Sequence, residues 1–183
     1  IFFIIAYIGK DFDWNEALNT NLDFNNIDIE IDIFNNLSNN TSNQVNDIKV
    51  GSEDLKVYFI DVGQADSILV IDGDKTMLID AGTNEKGESV VNFIKSKGVS
   101  KIDFLVGTHP HEDHIGGMDD VINAFEIGRI YMPKVQTNTK TFEDVLNAIE
   151  SKKLSVTTPI IGDEFVLENA KCEIMSTANN AEE

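Results

Sequence analysis

The residues best equipped for chemistry are His109-Pro110-His111-Glu112-Asp113-His114, which hold all three histidines of the chain. The pattern His-x-His-x-Asp-His packs imidazole and carboxylate donors into one short stretch, with Gly116-Gly117 close behind. Neutral imidazole and carboxylate together suit zinc, and also manganese or iron. Scattered histidines would be ordinary surface or core residues; clustered ones at this spacing point to a metal. Alternate side chains of an extended loop point the same way. His109 and His111 are therefore expected to share one ion, with Asp113 and His114 facing a neighbouring position. Paired ions bring attacking and leaving oxygens together and make a bound water acidic near neutral pH, which is hydrolytic chemistry. The spacing is not that of the helical metalloprotease motif, whose histidines stand four apart, and Pro110 argues against a helix here.

Such a loop needs rigid strand ends to hold it. Asp103–Gly107, with its Phe-Leu-Val run, reads as a strand stopping two residues before His109. Upstream, Leu55–Val62 alternates, with Val57, Phe59 and Val62 apolar. A Gly63-Gln64 turn leads to Ser67–Ile71, and the hairpin signal Asp72-Gly73-Asp74 leads to Thr76–Ile79. The expectation is a three-stranded antiparallel meander whose last strand ends at Asp80-Ala81-Gly82. A helix follows near Gly87–Lys97, stopped by Gly98. After the histidines, Met118, Val121, Ile122 and Phe125 keep helical spacing, and Ile127–Met132 is a strand closed by Pro133. Thr141 is the expected cap of a further helix, with Glu143 and Asp144 in its first turn and Phe142, Val145, Leu146 and Ile149 on its buried face. Strands near Leu154–Thr157, Glu164–Leu167 and Lys171–Ser176 complete an α/β layered order.

The chain ahead of residue 55 has a different texture. Residues 1–9 are almost wholly apolar and read either as the remnant of a signal peptide or membrane anchor, or as a buried strand. Residues 10–54 form an acidic, Asn-rich linker in which eleven asparagines lie between Asn15 and Asn46. Within it, Ile27, Ile29, Ile31 and Ile33 alternate with acids and suit a short strand. The Asn-x-Ser/Thr triplets at Asn36, Asn39 and Asn40 follow from this composition. In the whole chain of 183 residues, 14 Lys and Arg face 32 Asp and Glu, a net charge of −18. That balance opposes non-specific attraction to nucleic acid or an anionic membrane surface. A single cysteine, Cys172, excludes a disulfide framework and a Cys-rich zinc ribbon, and its apolar-alternating setting makes it a core residue.

The histidine stretch, together with Leu78-Ile79-Asp80-Ala81-Gly82, resembles the metallo-β-lactamase superfamily. Asp61-Val62-Gly63-Gln64-Ala65-Asp66-Ser67 resembles the ComEC-type domain of DNA-uptake (competence) proteins, with Ala65 departing from the usual glycine. The resemblance runs from about Leu55 to the end of the chain. It implies the first half of an αββα sandwich, spanning 55–183 as a partial domain, and a hydrolase using one or two divalent ions, zinc before manganese. It carries His109 and His111 over as ligands of a first ion, and Asp113 and His114 as ligands of a second. It gives Asp113 a further role in orienting water or assisting proton transfer. Asp80 maps to the strand-end aspartate that supports the metal loop by hydrogen bonds, set against the plainer reading of a strand-terminating turn. Asp61 and Asp66 either face the site or brace their turn, and bracing the turn is the expectation.

The superfamily site also takes a further histidine, a bridging aspartate and a late histidine. No histidine follows His114, and the bridging aspartate and late histidine are expected beyond Glu183, so the expectation is a fragment that binds metal weakly and has no hydrolase activity of its own. The implied substrates are phosphodiesters, either DNA or cell-wall and phosphocholine esters, and the implied setting is extracellular or membrane-anchored. A non-catalytic metal-binding or interaction module of a surface protein is the alternative.

Overall fold

A computed structural model describes residues 3–7, 28–30, 55–135 and 137–177. The linker reading of 10–54 therefore lies largely outside the described residues. The strands are β1 (Phe3–Tyr7), β2 (Asp28–Glu30), β3 (Leu55–Phe59), β4 (Ile68–Asp72), β5 (Lys75–Ile79), β6 (Lys101–Val106), β7 (Glu126–Tyr131), β8 (Val156–Thr157), β9 (Glu164–Val166) and β10 (Lys171–Ser176). The helices are α1 (Gly87–Ser96), α2 (Glu112–Ile115), α3 (Met118–Ala124) and α4 (Lys140–Ser151).

Seven strands form one sheet in the order β2-β3-β4-β5-β6-β7-β8, and three form a second in the order β1-β10-β9. The expected meander is present: β3, β4 and β5 pair antiparallel. From β5 onward the pairing turns parallel through β6, β7 and β8. Each parallel step needs a crossover, and the helical segments α1, α2–α3 and α4 supply them in turn. Phe3–Tyr7 pairs antiparallel with β10, so the apolar start of the chain forms a strand here. Within the isoleucine alternation at 27–33, Asp28–Glu30 forms β2 and lies parallel to β3, and the rest of that stretch lies outside the described residues.

The large sheet is buried on both faces. Leu69, Leu78, Leu105 and Ile130 face the helices, joined by Val90, Ile94, Met118, Ile122 and Val145. Val70, Met77, Val106 and Tyr131 face the small sheet, meeting Phe165, Leu167, Cys172 and Ile174. This is the α/β layered class expected, with helices on one face and a second sheet on the other. Two-sided burial corrects one detail. Along β3 and the residues just after it, the helix side takes Tyr58, Ile60 and Val62 and the other side takes Leu55 and Val57, while Phe59 is exposed.

The helix cap is also corrected. Thr139, not Thr141, caps α4: its backbone is extended and its hydroxyl accepts the Phe142 N–H at 3.3 Å. Thr141 is buried in the first turn, where its hydroxyl accepts from the side-chain amide of Asn84 at 3.2 Å.

Candidate metal centre

The parallel strands β5 and β6 end side by side, and the candidate residues lie just beyond them. Ligand sites favour this carboxyl edge of parallel sheets. Asp80 follows β5 and continues the ladder, its N–H donating to the Val106 carbonyl at 2.8 Å. Its φ of 58° turns the chain sharply off the sheet. That left-handed conformation is uncommon without glycine, though aspartate tolerates it better than most residues.

Beyond β6, Gly107 still pairs with Tyr131, its N–H donating at 2.9 Å. The chain then bends at His109 and Pro110 and reaches His111, which stands as the extended N-cap of α2 with ψ 151°. The expectation that Pro110 excludes a helix is corrected here. Proline restricts itself and the residue before it, and the four-residue helix Glu112–Ile115 starts two positions later. Asp113 and His114 therefore sit on a helical turn. The three histidine rings lie together in one cluster. His109 and His114 ring centroids are 3.8 Å apart, and His109 and His111 centroids 4.7 Å.

Three loops are stitched together around this cluster. Ala81 donates to the His114 carbonyl at 2.8 Å, Gly82 to Asp66 at 2.9 Å, Gly117 to Gly82 at 3.2 Å and Asp66 to Asp113 at 3.2 Å. The Glu112 carboxylate accepts the Asn84 N–H at 2.9 Å. A side chain on Gly116 or Gly117 would run into the backbone of Thr83–Asn84 or of Ala81 and Gly87, so only glycine lets the turn between α2 and α3 lie this close to the segment 81–87. Within the Asp61–Ser67 motif, Asp61 braces the turn as expected, accepting the Gly63 N–H at 3.1 Å. Ser67 is buried and donates to the Asp80 carbonyl at 3.1 Å. Asp66 departs from the expectation: its exposed carboxylate faces the cluster, 3.6 Å from His114 Nδ1.

Asp80 is the anchor. It is 2% exposed. Its Oδ1 accepts the Thr108 N–H at 2.8 Å, and its Oδ2 accepts the Thr108 hydroxyl at 2.6 Å. The same Oδ2 lies 2.8 Å from His114 Nδ1. Asp80 thus makes a hydrogen bond directly to an imidazole. Thr108, which drew no attention in the sequence, is the residue through which Asp80 reaches the start of the histidine stretch.

The electrostatics separate the rings. The hydrogen bond to Asp80 raises the pKa of His114, with Asp113 and Asp66 adding to it against the cost of burial. Burial lowers the pKa of His109, and its two histidine neighbours push the same way. Both effects favour the neutral form of His109, which is the form a metal ligand takes.

The donor set fits a divalent ion in chemistry. With Nδ1 of His114 on Asp80, its Nε2 is left for a ligand, and it lies 3.7 Å from Asp113 Oδ2. Two donors at about 2.1 Å from a tetrahedral ion stand roughly 3.4 Å apart, so this pair matches the span of one ion. As they stand, the rings lean on one another. Among the described residues no group of three or more His, Cys, Asp or Glu side chains is already set to hold an ion.

The profile of the Metallo-beta-lactamase superfamily matches residues 60–177. The chain is 27% identical to "ComE operon protein 3" of Bacillus subtilis (strain 168) over 143 aligned positions, covering 68% of this chain and 18% of the relative. It is 32% identical to "Probable metallo-hydrolase YqgX" of the same organism over 75 positions, 41% of this chain and 34% of the relative. The chain thus spans only about a fifth to a third of the curated relatives it matches. Among solved structures, Rm3 metallo-beta-lactamase is 16% identical with a TM-score of 0.48, covering 63% of this chain and 46% of that one. SMB-1 bound to 2-mercaptoethanesulfonate is 18% identical with a TM-score of 0.43, covering 57% and 44%.

Proposed function

The chain belongs to the metallo-β-lactamase superfamily, and from that premise we propose that it contributes the first metal-binding loop of a hydrolase acting on phosphodiesters. Members of the superfamily are metallo-hydrolases that generally bind one or two divalent metals. The observation that carries the reading is the three-histidine cluster hung from a buried aspartate. His109, His111, Asp113 and His114 would hold the ions, zinc before manganese, and Asp80 would hold His114 in place. Bound metal would supply Lewis acidity towards an ester and its attacking water. Asp113, half exposed beside His114 Nε2, would orient that water or take its proton. Asp80 and Thr108 would keep the rings from turning away.

Phosphodiester over β-lactam is favoured by the Asp61–Ser67 motif, whose Asp66 and Ser67 pack onto the site. Likeness to ComE operon protein 3 supports a link to DNA uptake. The net charge of −18 favours a small or cell-wall ester, such as a phosphocholine ester, over long DNA. An extracellular or membrane-anchored setting belongs to the same reading. Among the described residues no helix is long and apolar enough to cross a membrane.

Calorimetric titration with zinc and manganese tests the metal reading. Saturable binding weaker than submicromolar, lost in His111→Ala, is expected, because one loop supplies the donors. No binding by a folded chain would overturn it. The substrate class is tested by whether zinc makes the chain bind a dinucleotide phosphorothioate; zinc-dependent binding of a cephalosporin instead would reject it. Hydrolysis of a chromogenic phosphodiester by this chain alone is expected to be negligible. Zinc binding without any phosphodiester binding would support the non-catalytic alternative.

A further inference from the structure

We propose that Thr108 is a positioning residue: its hydroxyl relays the hydrogen-bonding demand of Asp80 to His109, so that one buried carboxylate sets the tautomers of two histidines. The inference rests on the metal-centre reading for its purpose, but not for its geometry.

The hydroxyl of a threonine has one proton to donate and lone pairs to accept with. Thr108 is 8% exposed, so its partners are those the protein supplies. Its Oγ1 lies 2.6 Å from Asp80 Oδ2, 3.1 Å from His109 Nδ1 and 3.4 Å from His114 Nδ1. A carboxylate offers acceptors only. Asp80 already takes the Thr108 N–H on Oδ1 and faces His114 Nδ1 from Oδ2. The single hydroxyl proton therefore goes to Asp80 across the shortest of the three contacts.

That choice decides the next one. With its proton committed, Thr108 Oγ1 can only accept from His109, so the Nδ1 of His109 carries hydrogen. In the neutral ring the Nε2 of His109 is then a bare lone pair. Asp80 imposes the same tautomer on His114 directly. Both rings end with Nε2 as the donor atom, although only one of them touches the carboxylate. Metal-binding histidines are commonly oriented by an acceptor on the other ring nitrogen; here two ring nitrogens draw on one acceptor, the second through a hydroxyl. The relay is stiff, because a β-branched residue has few χ1 choices and the Thr108 backbone is pinned to the same carboxylate.

The test is long-range proton–nitrogen correlation of the chain with nitrogen-15-labelled histidine, free of metal, at a pH where the imidazoles are neutral. In the wild-type chain His109 and His114 are both expected as Nδ1–H. In Thr108→Val, His109 should move to Nε2–H while His114, still on Asp80, stays. Thr108→Ser, which keeps the hydroxyl, should restore His109. Zinc affinity should fall at least about 10-fold in Thr108→Val and recover most of that in Thr108→Ser. An Nε2–H tautomer for His109 in the wild-type chain would overturn the relay whether or not the valine variant folds. So would a folded Thr108→Val in which His109 is unchanged. A wild-type chain with both Nδ1–H tautomers and no zinc binding would reject the metal reading and leave the relay standing.

Discussion

The β4–β5 hairpin carries a buried aspartate at each end. Asp72 closes β4 at the turn, and Asp80 follows β5 at the opposite end. Both are within 2% of complete burial. Their partners differ in kind. Asp72 Oδ2 collects the backbone N–H groups of Glu168, Asn169 and Ala170 at 3.0, 2.5 and 2.7 Å. It thereby ties the large sheet to the turn between β9 and β10, and its work is finished within the backbone. Asp80 accepts one backbone N–H and spends its other oxygen on a hydroxyl and an imidazole. One acid locks chain to chain; the other passes its orientation on to groups that can bind something else.

The largest loss of stability is expected at Asp72. Asp72→Ala leaves three backbone donors without their acceptor, and a buried unpaired donor is costly. A loss of about 3 kcal/mol is expected in urea unfolding, while the folded fraction keeps its zinc affinity. An equal fall in zinc affinity would mean that the two ends are not separable. Asp80→Asn should do the reverse. Asparagine tolerates the left-handed backbone, so the fold survives, but its amide nitrogen cannot accept from His114. Zinc affinity should drop by about 10- to 100-fold, read by calorimetry, with a smaller change in unfolding midpoint than Asp72→Ala.

The sequence does not distinguish these two acids by pattern, since each follows a short, continuous apolar run and stands close to a glycine. The resemblance marked Asp80, whereas Asp72 read only as part of a hairpin signal. Its partners lie 96 to 98 residues away, and no local spacing encodes them. Strand and helix order was legible because periodicity is local: every expected strand from Leu55 onward and each expected helix is present. What was not legible depends on tertiary placement. Thr139 and Thr141 are equally good caps until Asn84 claims Thr141. Asp66 looked like a turn residue until its loop was laid on His114. Thr108 is an ordinary residue whose importance comes only from standing between Asp80 and His109.

The site end is also the one held by close backbone approach. In Gly116→Ala the added methyl meets the backbone at Thr83–Asn84, with no flexible side-chain tip to give way. Overpacking of this sort costs about 1–2 kcal/mol. Because the strain falls between α2 and the Ala81–Gly87 loop, zinc binding should weaken along with stability. A Gly116→Ala chain that lost stability but bound zinc normally would separate the loop packing from the site.

The smallest effect is in pH dependence, and it separates the two aspartates without unfolding the protein. His114 has a raised pKa, so in the metal-free chain its contribution to stability is full below the ordinary histidine value of about 6.5 and is lost as pH rises through the folded value. His109 has a lowered pKa, so its contribution is full above about 6.5 and is lost as pH falls towards the folded value. Together the two rings favour the folded state most near their unperturbed pKa. Proton titration followed by NMR should place His114 above that value and His109 below it. Asp80→Asn should bring His114 down, because the hydrogen bond to Asp80 is the largest cause of its rise. Asp72→Asn should move neither ring. A shift of His114 in Asp72→Asn as large as in Asp80→Asn would show the hairpin transmitting strain from one end to the other, and the division of labour between its two acids would fail.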